Sequence, residues 1–296
     1  MRVTNRMLAI TVERNMSANL QRMSRLHDQL SSGKTAARPS DGAVIATRSM
    51  AVAATLSRNQ QFDKNINDAL SWMQTTDLAL ADITGALHRI RETVLYAAND
   101  AHTIDERTAL AEEVDQLINF MLETANSEYN GRHVFAGFNT TKAPYSRDGD
   151  AFDFAGNNGR MVYEVSPFAK VDLNITGPAI FGENGTQLFE QLIEIRDAIL
   201  SGDTDTLSNS TLSKMDDSIS NILAQRTSLG AKINRLEAGQ QRLQAEGYNL
   251  KDIRSKFEDI DYAQKITEFK MQENIYQASL ATAAKIISPT LLQFLR

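Results

Sequence analysis

No cysteine occurs in this chain of 296 residues, an absence that removes disulfides, thiolate nucleophiles and cysteine-ligated zinc together. Proline is scarce, at five residues, so little in the backbone chemistry interrupts helix over most of the length. No window approaches the roughly 18 uninterrupted apolar residues of a membrane span. The start, MRVTNRMLAITVERNM, carries Arg2 and Arg6, but Glu13 and Arg14 follow its short apolar stretch, so no cleavable secretory signal is expected. Any exit from the cell then needs a route other than the general secretory one.

What is present is a 42% hydrophobic share, enough for substantial cores. The net charge of −6 is unevenly spread: residues 1–60 carry +6, residues 251–296 carry +1, and the middle carries −13. The basic amino end is read as the solvated face of amphipathic helices. Arg89 and Arg91 flank Ile90 with no nucleic-acid motif beside them, so neither a nucleic acid nor a membrane is expected as a partner.

Apolar residues recur at alternating steps of three and four from Ile45 to Ala97, through Ile66, Met73, Leu80, Ile83, Leu87, Ile90 and Val94, with twelve of sixteen positions apolar. That spacing predicts one long helix with a coiled-coil stripe. A second helix is expected from Ile104 to Tyr129, with Leu110, Val114, Leu117, Met121 and Ala125 on one face and the turn before it near Asn99-Asp100. A further seam runs from Leu212 to Phe257 through Met215, Ile219, Ile222, Leu229, Ile233, Leu236, Leu243 and Leu250. Ala224, Ala231, Ala238 and Ala245 repeat every seven residues on its opposite face; they mark either a second packing side or merely good helix formers.

Two such helices, far apart in sequence and each with one narrow apolar stripe, satisfy each other most simply side by side. At about 1.5 Å per residue the second would reach roughly 69 Å. The expected fold is therefore mainly α, an elongated antiparallel coiled-coil rod built from both chain ends, with a small β-rich insert.

The insert is placed at residues 131–185, which hold eight of the fifteen glycines and short alternating runs at 160–165 and 168–175. Asn130-Gly131 and Asn158-Gly159 are both read as hairpin turns. A helix near Gln187–Leu200, with Leu188, Leu192 and Ile199 on one side, leads back to the long seam. The expected division is 41–130 with 186–257 as a helical rod domain, 131–185 as the insert, and 1–40 with 258–296 as terminal helices.

Those terminal segments are amphipathic: Val3, Met7, Ile10, Met16, Leu20, Met23, Leu26 and Leu30 at one end, and Ile266, Phe269, Tyr276, Leu280, Ala283, Ile287, Leu291 and Leu295 at the other. Short isolated helices of this kind take most of their stability from partners. They are expected to be disordered before assembly and to make intersubunit contacts afterwards.

Catalytic and cofactor readings find little support. Ser31-Ser32-Gly33-Lys34-Thr35 ends like a phosphate-binding loop, but Asp28 stands where the first glycine is required. Asp148, Asp150 and Asp153 resemble a calcium loop only loosely, because Phe152 occupies a ligand position. His27, His88, His102 and His133 lack metal-ligand spacing. Four Asn-x-Ser/Thr triplets begin at Asn139, Asn174, Asn184 and Asn209, and matter only if a glycosylation system is met. No metal, cofactor or catalytic residue is assigned.

The stretch QLSSGKTAARPSDGA (29–43), then ALSWMQTTDLALADI (69–83) and RIRETVLYAAND (89–100), and at the other end RTSLGAKINRLE (226–237) and FEDIDYAQKITEF (257–269), resemble the flagellin superfamily in both motif and order. The resemblance covers roughly residues 1–135 and 186–296. MRVTNRML, Pro39-Ser40 and YNGRHVFAGFNTTKAPY (129–145) resemble the hook–filament junction branch more than filament flagellins, with Gly42 departing from the family's usual turn around Asp41. The resemblance implies export through the flagellar type III apparatus, a cytoplasmic chaperone for the carboxy-terminal helices, and a ring of copies between the first hook-associated protein and flagellin. It also implies an extracellular location on the flagellum. A short filament flagellin and a coiled-coil adaptor module remain the competing readings.

Overall fold

The computed structural model describes residues 5–36, 38, 40, 42–98, 103–203, 207 and 211–287. The protein is mainly helical, with long helices contributed by both ends of the chain and a small region of antiparallel strands between them. The elements in order are α1 (Asn5–Ser32), α2 (Ala43–Ala97), α3 (Ile104–Ala125), β1 (Glu128–Tyr129), β2 (Arg132–His133), β3 (Tyr145–Asp148), β4 (Ala151–Phe154), β5 (Val162–Ser166), β6 (Ala169–Asp172), α4 (Gly177–Phe181), α5 (Gln187–Ser201), α6 (Leu212–Glu258) and α7 (Tyr262–Ile287). They form two compact units, residues 59–245 and residues 1–58 with 246–296; α2 and α6 contribute to both.

In the larger unit α2 and α6 are antiparallel neighbours. Arg91 pairs with Asp216 at 2.8 Å, Arg226 with Asp77 at 3.0 Å, and Gln240 donates to Asn67 at 2.7 Å, so partners descend α2 as they climb α6. Between these polar markers the stripe is dry: Ile66, Met73, Leu80, Ile83, Leu87, Ile90 and Val94 of α2 are buried, as are Met215, Ile219, Ile222, Leu229, Leu236 and Leu243 of α6. Leu212 and Ile233 are partly buried against the same core. Each large side chain removed from water there contributes about 1.5–3 kcal/mol. Arg226 and Gln240 occupy seam positions that interrupt the apolar spacing, and their bonds to α2 fix its register at little desolvation cost.

Helix α3 opens on a capping box: Thr103 Oγ1 accepts from the Glu106 amide while Glu106 Oε2 accepts from the Thr103 amide, an arrangement that supplies about 0.5–2 kcal/mol. It ends at Ala125, four residues before the expected boundary. Asn126 already serves as its C-cap and turns its amide side chain onto β3, where Nδ2 donates to Tyr145 O and Oδ1 accepts from Tyr145 N. The buried line is Ala111, Val114, Ile118, Met121 and Ala125. Leu110 and Leu117 are only partly buried, because the face turned to the core is rotated by one residue from the expected one. The Asn99-Asp100 turn lies outside the described residues.

The strands pair as three separate antiparallel hairpins, β1–β2, β3–β4 and β5–β6. Asn130 (φ 54°) and Gly131 (φ 71°) make the first turn, as the left-handed requirement of a type I′ hairpin demands. Asn158-Gly159 is not a hairpin turn, contrary to expectation. The turn instead falls at Gly149-Asp150, since Asp148 and Ala151 are partners in the β3–β4 register and Gly149 has φ 63°. Gly159 lies in irregular chain fastened by side chains, its amide donating to Asn157 Oδ1 and its carbonyl accepting from Asn174 Nδ2. The hairpins rest on an aromatic core in which Phe181 stacks on Phe189 at 5.0 Å, Phe152 stacks on Phe189 at 4.9 Å, and Tyr145 stands edge-on to Phe181 at 5.0 Å.

The smaller unit pairs α1 antiparallel with α7. Asn19 is buried between them, donating to Ser279 Oγ (3.2 Å) and accepting from Gln272 Nε2 (3.3 Å). The two helix ends are buckled together. Gly33, at φ 70°, caps α1 by donating to Gln29 O, and its own carbonyl accepts from the Ile260 amide, while the Thr35 amide donates to Glu258 O.

Candidate functional site: assembly surfaces

The terminal helices present two different faces. Toward each other they offer a mixed layer, with Asn19 and Gln272 buried at its centre and Met23, Leu30, Phe269 and Tyr276 half-buried around them. Away from each other they carry Met7, Ile10 and Leu20 on α1 and Ile266, Met271, Ile275 and Leu280 on α7, all exposed. The amphipathic stripe read from sequence ran through both faces. Leu20 and Leu280 point outward because Asn19 and Ser279, one position away, take the inner seats, and Ile266 is likewise exposed while Gln272 is buried. Val3, Leu291 and Leu295 lie outside the described residues; Ile287 ends α7. Met271 and Ile275 are outward-facing apolar residues that the sequence stripe missed.

Large apolar side chains thus stand in water on the outside of a pair whose inner layer is partly polar. Both helices are formed, over Asn5–Ser32 and Tyr262–Ile287, and their shared layer mixes buried Asn19, Gln272 and Ala283 with half-buried Met23, Leu30, Phe269 and Tyr276.

At the base of the pair, Glu258 accepts a hydrogen bond from Ser49 Oγ and lies 3.2 Å from Lys34 Nζ and 3.7 Å from Arg254 Nε. The Ser49 hydroxyl, then Lys34, hold its carboxyl below the usual carboxylate range. The Gly33-Lys34 motif thus has a structural duty, as a helix cap and an anchor of this buckle. A phosphate cradle would need a strand before it and a helix N-terminus after it, and Gly33 instead follows a helix C-terminus. The contacts of Asp41 lie outside the described residues.

In the larger unit a polar network joins α3, the β3–β4 hairpin and α5. Arg147 reaches Asp115 (2.6 Å) and Asn119 (2.7 Å), and Arg196 reaches Asp150 (2.7 Å), Asp197 (2.7 Å) and Asp115 (3.3 Å). Asp115 is held below its ordinary value chiefly by the Arg147 hydrogen bond, and Asp150 chiefly by the Arg196 hydrogen bond. Asp150, read from sequence as an acid in a loose calcium loop, is here a partner of Arg196. Among the described residues no group of three acidic or histidine side chains is disposed to hold a metal.

His133 contacts Asn126 O through Nδ1 at 2.7 Å and Glu128 through Nε2 at 3.3 Å. Asn139 donates to Ala155 O and Asn174 is buried, whereas Asn184 is exposed; Asn209 lies outside the described residues. Ala224, Ala231, Ala238 and Ala245 are all exposed on α6. Leu250 is partly buried in the smaller unit.

Comparison with known proteins agrees with this arrangement of terminal helices around an inserted region. The bacterial flagellin N-terminal helical region matches residues 3–140 and the bacterial flagellin C-terminal helical region matches residues 212–295. The chain therefore belongs to the flagellin family and is a structural protein of the bacterial flagellum, not an enzyme. It is 24% identical over 277 residues to flagellar hook-associated protein 3 of Escherichia coli (strain K12), covering 85% of this chain and 86% of that one. It is 26% identical over 304 residues to the flagellin of Bacillus subtilis (strain 168), covering 96% of each. The crystal structure of the flagellar junction protein FlgL from Legionella pneumophila shares the fold, with a TM-score of 0.60 at 16% identity over 72% of this chain and 99% of that one.

Proposed function

We propose that this chain is the junction subunit between hook and filament, a counterpart of hook-associated protein 3, and is needed for motility. The observation that carries the reading is the outward apolar face of the α1–α7 pair: Met7, Ile10, Leu20, Ile266 and Leu280 contact neighbouring subunits in the inner layer of a tubular assembly, joined there by Val3, Ile287, Leu291 and Leu295. Met23, Leu30, Phe269 and Tyr276, half-buried within the pair, tighten as neighbours close over it. Residues 41–130 with 186–257 act as the helical rod domain of the subunit and 131–185 as its insert.

The 129–145 segment supports the junction reading over that of filament flagellin through its sequence resemblance to the junction branch. Its FAGFN core is fitted to the insert: Gly137 has φ 70°, and a Cβ there would lie 2.0 Å from Asn157 O; Phe138 donates its amide to Asn157 Oδ1 and Asn139 donates to Ala155 O. A short filament flagellin is the second reading, favoured by the 96% coverage of the Bacillus flagellin.

The partners are the first hook-associated protein, flagellin and further copies of this chain. Delivery is through the type III export apparatus without a cleaved signal peptide, a cytoplasmic chaperone shielding the carboxy-terminal apolar face beforehand. In sheared flagella the chain is expected as a trace band, located by a tag inserted at the open Gly149 turn to the hook–filament boundary. A dominant band would identify it as filament flagellin instead. Deleting residues 280–296 is expected to abolish filament attachment, and retention of filaments by that variant would sink the reading.

A further inference from the structure

A groove of about 530 Å³ runs between the β5–β6 hairpin and α6 in the larger unit. Its floor is apolar, formed by Ile66, Leu236 and Leu243. Along its rim stand Arg235 and Arg242, both exposed and without an ion-pair partner among the described residues, and Phe168 overhangs it from the hairpin tip, fully exposed. The hairpin is held to both helices that flank it: Asn65 Nδ2 of α2 donates to Glu164 O, and Lys232 Nζ of α6 donates to Asp172 O. A fully exposed phenylalanine on a tethered hairpin, beside two unpaired arginines, is the composition of a binding centre.

The same unit carries a surface of opposite character. On α3, Glu112, Gln116, Phe120 and Glu123 fall on one outward face. Phe120 is 45% exposed, and Glu112 and Glu123 have no ion-pair partner among the described residues. Arg235 and Arg242 lie about 10 Å apart along α6 at 1.5 Å per residue, and Glu112 and Glu123 about 16 Å apart along α3. Arginine arms of about 6 Å are long enough to take up that difference.

From this complementarity we infer that the groove receives the α3 face of a second copy of this chain, Phe120 entering against the apolar floor and Phe168 while Glu112 and Glu123 meet Arg242 and Arg235. Groove and ridge are different patches of one molecule, so the contact is head-to-tail and repeats from copy to copy, as a ring or helical tube requires. The inference rests on the assembly-subunit reading above and adds to it the residues through which copies meet. Like charges at Arg235 and Arg242 also oppose any partner surface that is basic, which gives the contact its selectivity.

The test exploits the absence of native cysteine. A Ser166→Cys/Gln116→Cys variant, incorporated in cells and oxidised in isolated flagella, is expected to give a ladder of disulfide-linked copies on a non-reducing gel, with each single variant giving none. The R235E/R242E variant is expected to fold as the native chain does, by circular dichroism and urea titration, yet to lose filament attachment. Adding E112R/E123R on the same chain is expected to restore it. Three results overturn the interface: native attachment by the double charge variant, failure of the four-fold variant to restore it, or cross-links only to a different protein. A chain present at the hook–filament boundary with no ladder refutes the interface alone; a chain absent from flagella refutes the junction reading and the interface together.

Discussion

Arg147 Nη2 lies 2.6 Å from Asp115 Oδ1, joining the β3–β4 hairpin to α3 through two residues 32 positions apart. Both side chains are largely removed from solvent, and Asn119 and Arg196 complete their hydrogen bonding. Removing Asp115 would take one acceptor from two largely buried guanidinium groups, so Asp115→Ala is expected to cost about 2 kcal/mol in urea unfolding.

The same acids give the protein a pH signature. Asp115 and Asp150 have folded values lowered by their arginines. Their stabilisation is therefore complete above the ordinary carboxylate value, about pH 4, and is lost as pH falls through the depressed folded values. The stability difference between native protein and Asp115→Asn is expected to be level from neutral pH to about pH 5 and to shrink below about pH 4. A difference that peaks in acid would contradict the assignment.

Leu80 and Leu78 are neighbours in α2 with opposite fates, one buried and the other 68% exposed. Leu80→Ala is expected to cost about 3 kcal/mol through lost burial and a cavity, while Leu78→Ala stays within about 0.5 kcal/mol. Denaturant midpoints of the two variants check the seam directly.

Tyr145 has its hydroxyl buried with no hydrogen-bond partner among the described residues, inside the ring cluster of Phe154, Phe181 and Phe189. Burial raises its phenol above the usual value, so it stays neutral at all working pH values. Tyr145→Phe is expected to be neutral or to stabilise by up to about 1 kcal/mol, measured as a shift in the thermal midpoint. A clear destabilisation would show that the hydroxyl has a partner after all.

Glu258→Ala removes the acceptor shared by Ser49, Lys34 and Arg254. Hydrogen exchange is expected to quicken at residues 33–36 and 258–260, where the loop-to-loop hydrogen bonds lie, with amides around Leu80 and Leu229 unchanged.

Much of the helical architecture was legible because its signal is local and repetitive. Three-four spacing located α2 and α6 from Ile66, Leu80, Leu229 and Leu236 without any knowledge of their partners, and Asn130-Gly131 announced its own turn by requiring left-handed backbone. Asn158-Gly159 carried the same signal and was misleading, because Asn157 and Asn174 bind that chain from the side and no strand pair flanks it. On the terminal helices, a stripe of apolar residues wider than one face could not say which members turn inward. Asn19 and Ser279, polar and therefore overlooked, occupy inner seats and send Leu20 and Leu280 outward.

The sequence by itself determined that this is a long-helix protein with an inserted strand region, since periodicity and turn residues are properties of residues close together in the chain. Only the tertiary structure decided which polar groups meet. Arg226 with Asp77, Arg147 with Asp115, and Arg235 and Arg242 beside Phe168 are set by the crossing of segments that lie tens of residues apart or more. Charge and size alone carry no record of that distance, because an arginine in solution and an arginine in a network are the same letter until the backbone brings its partner within reach.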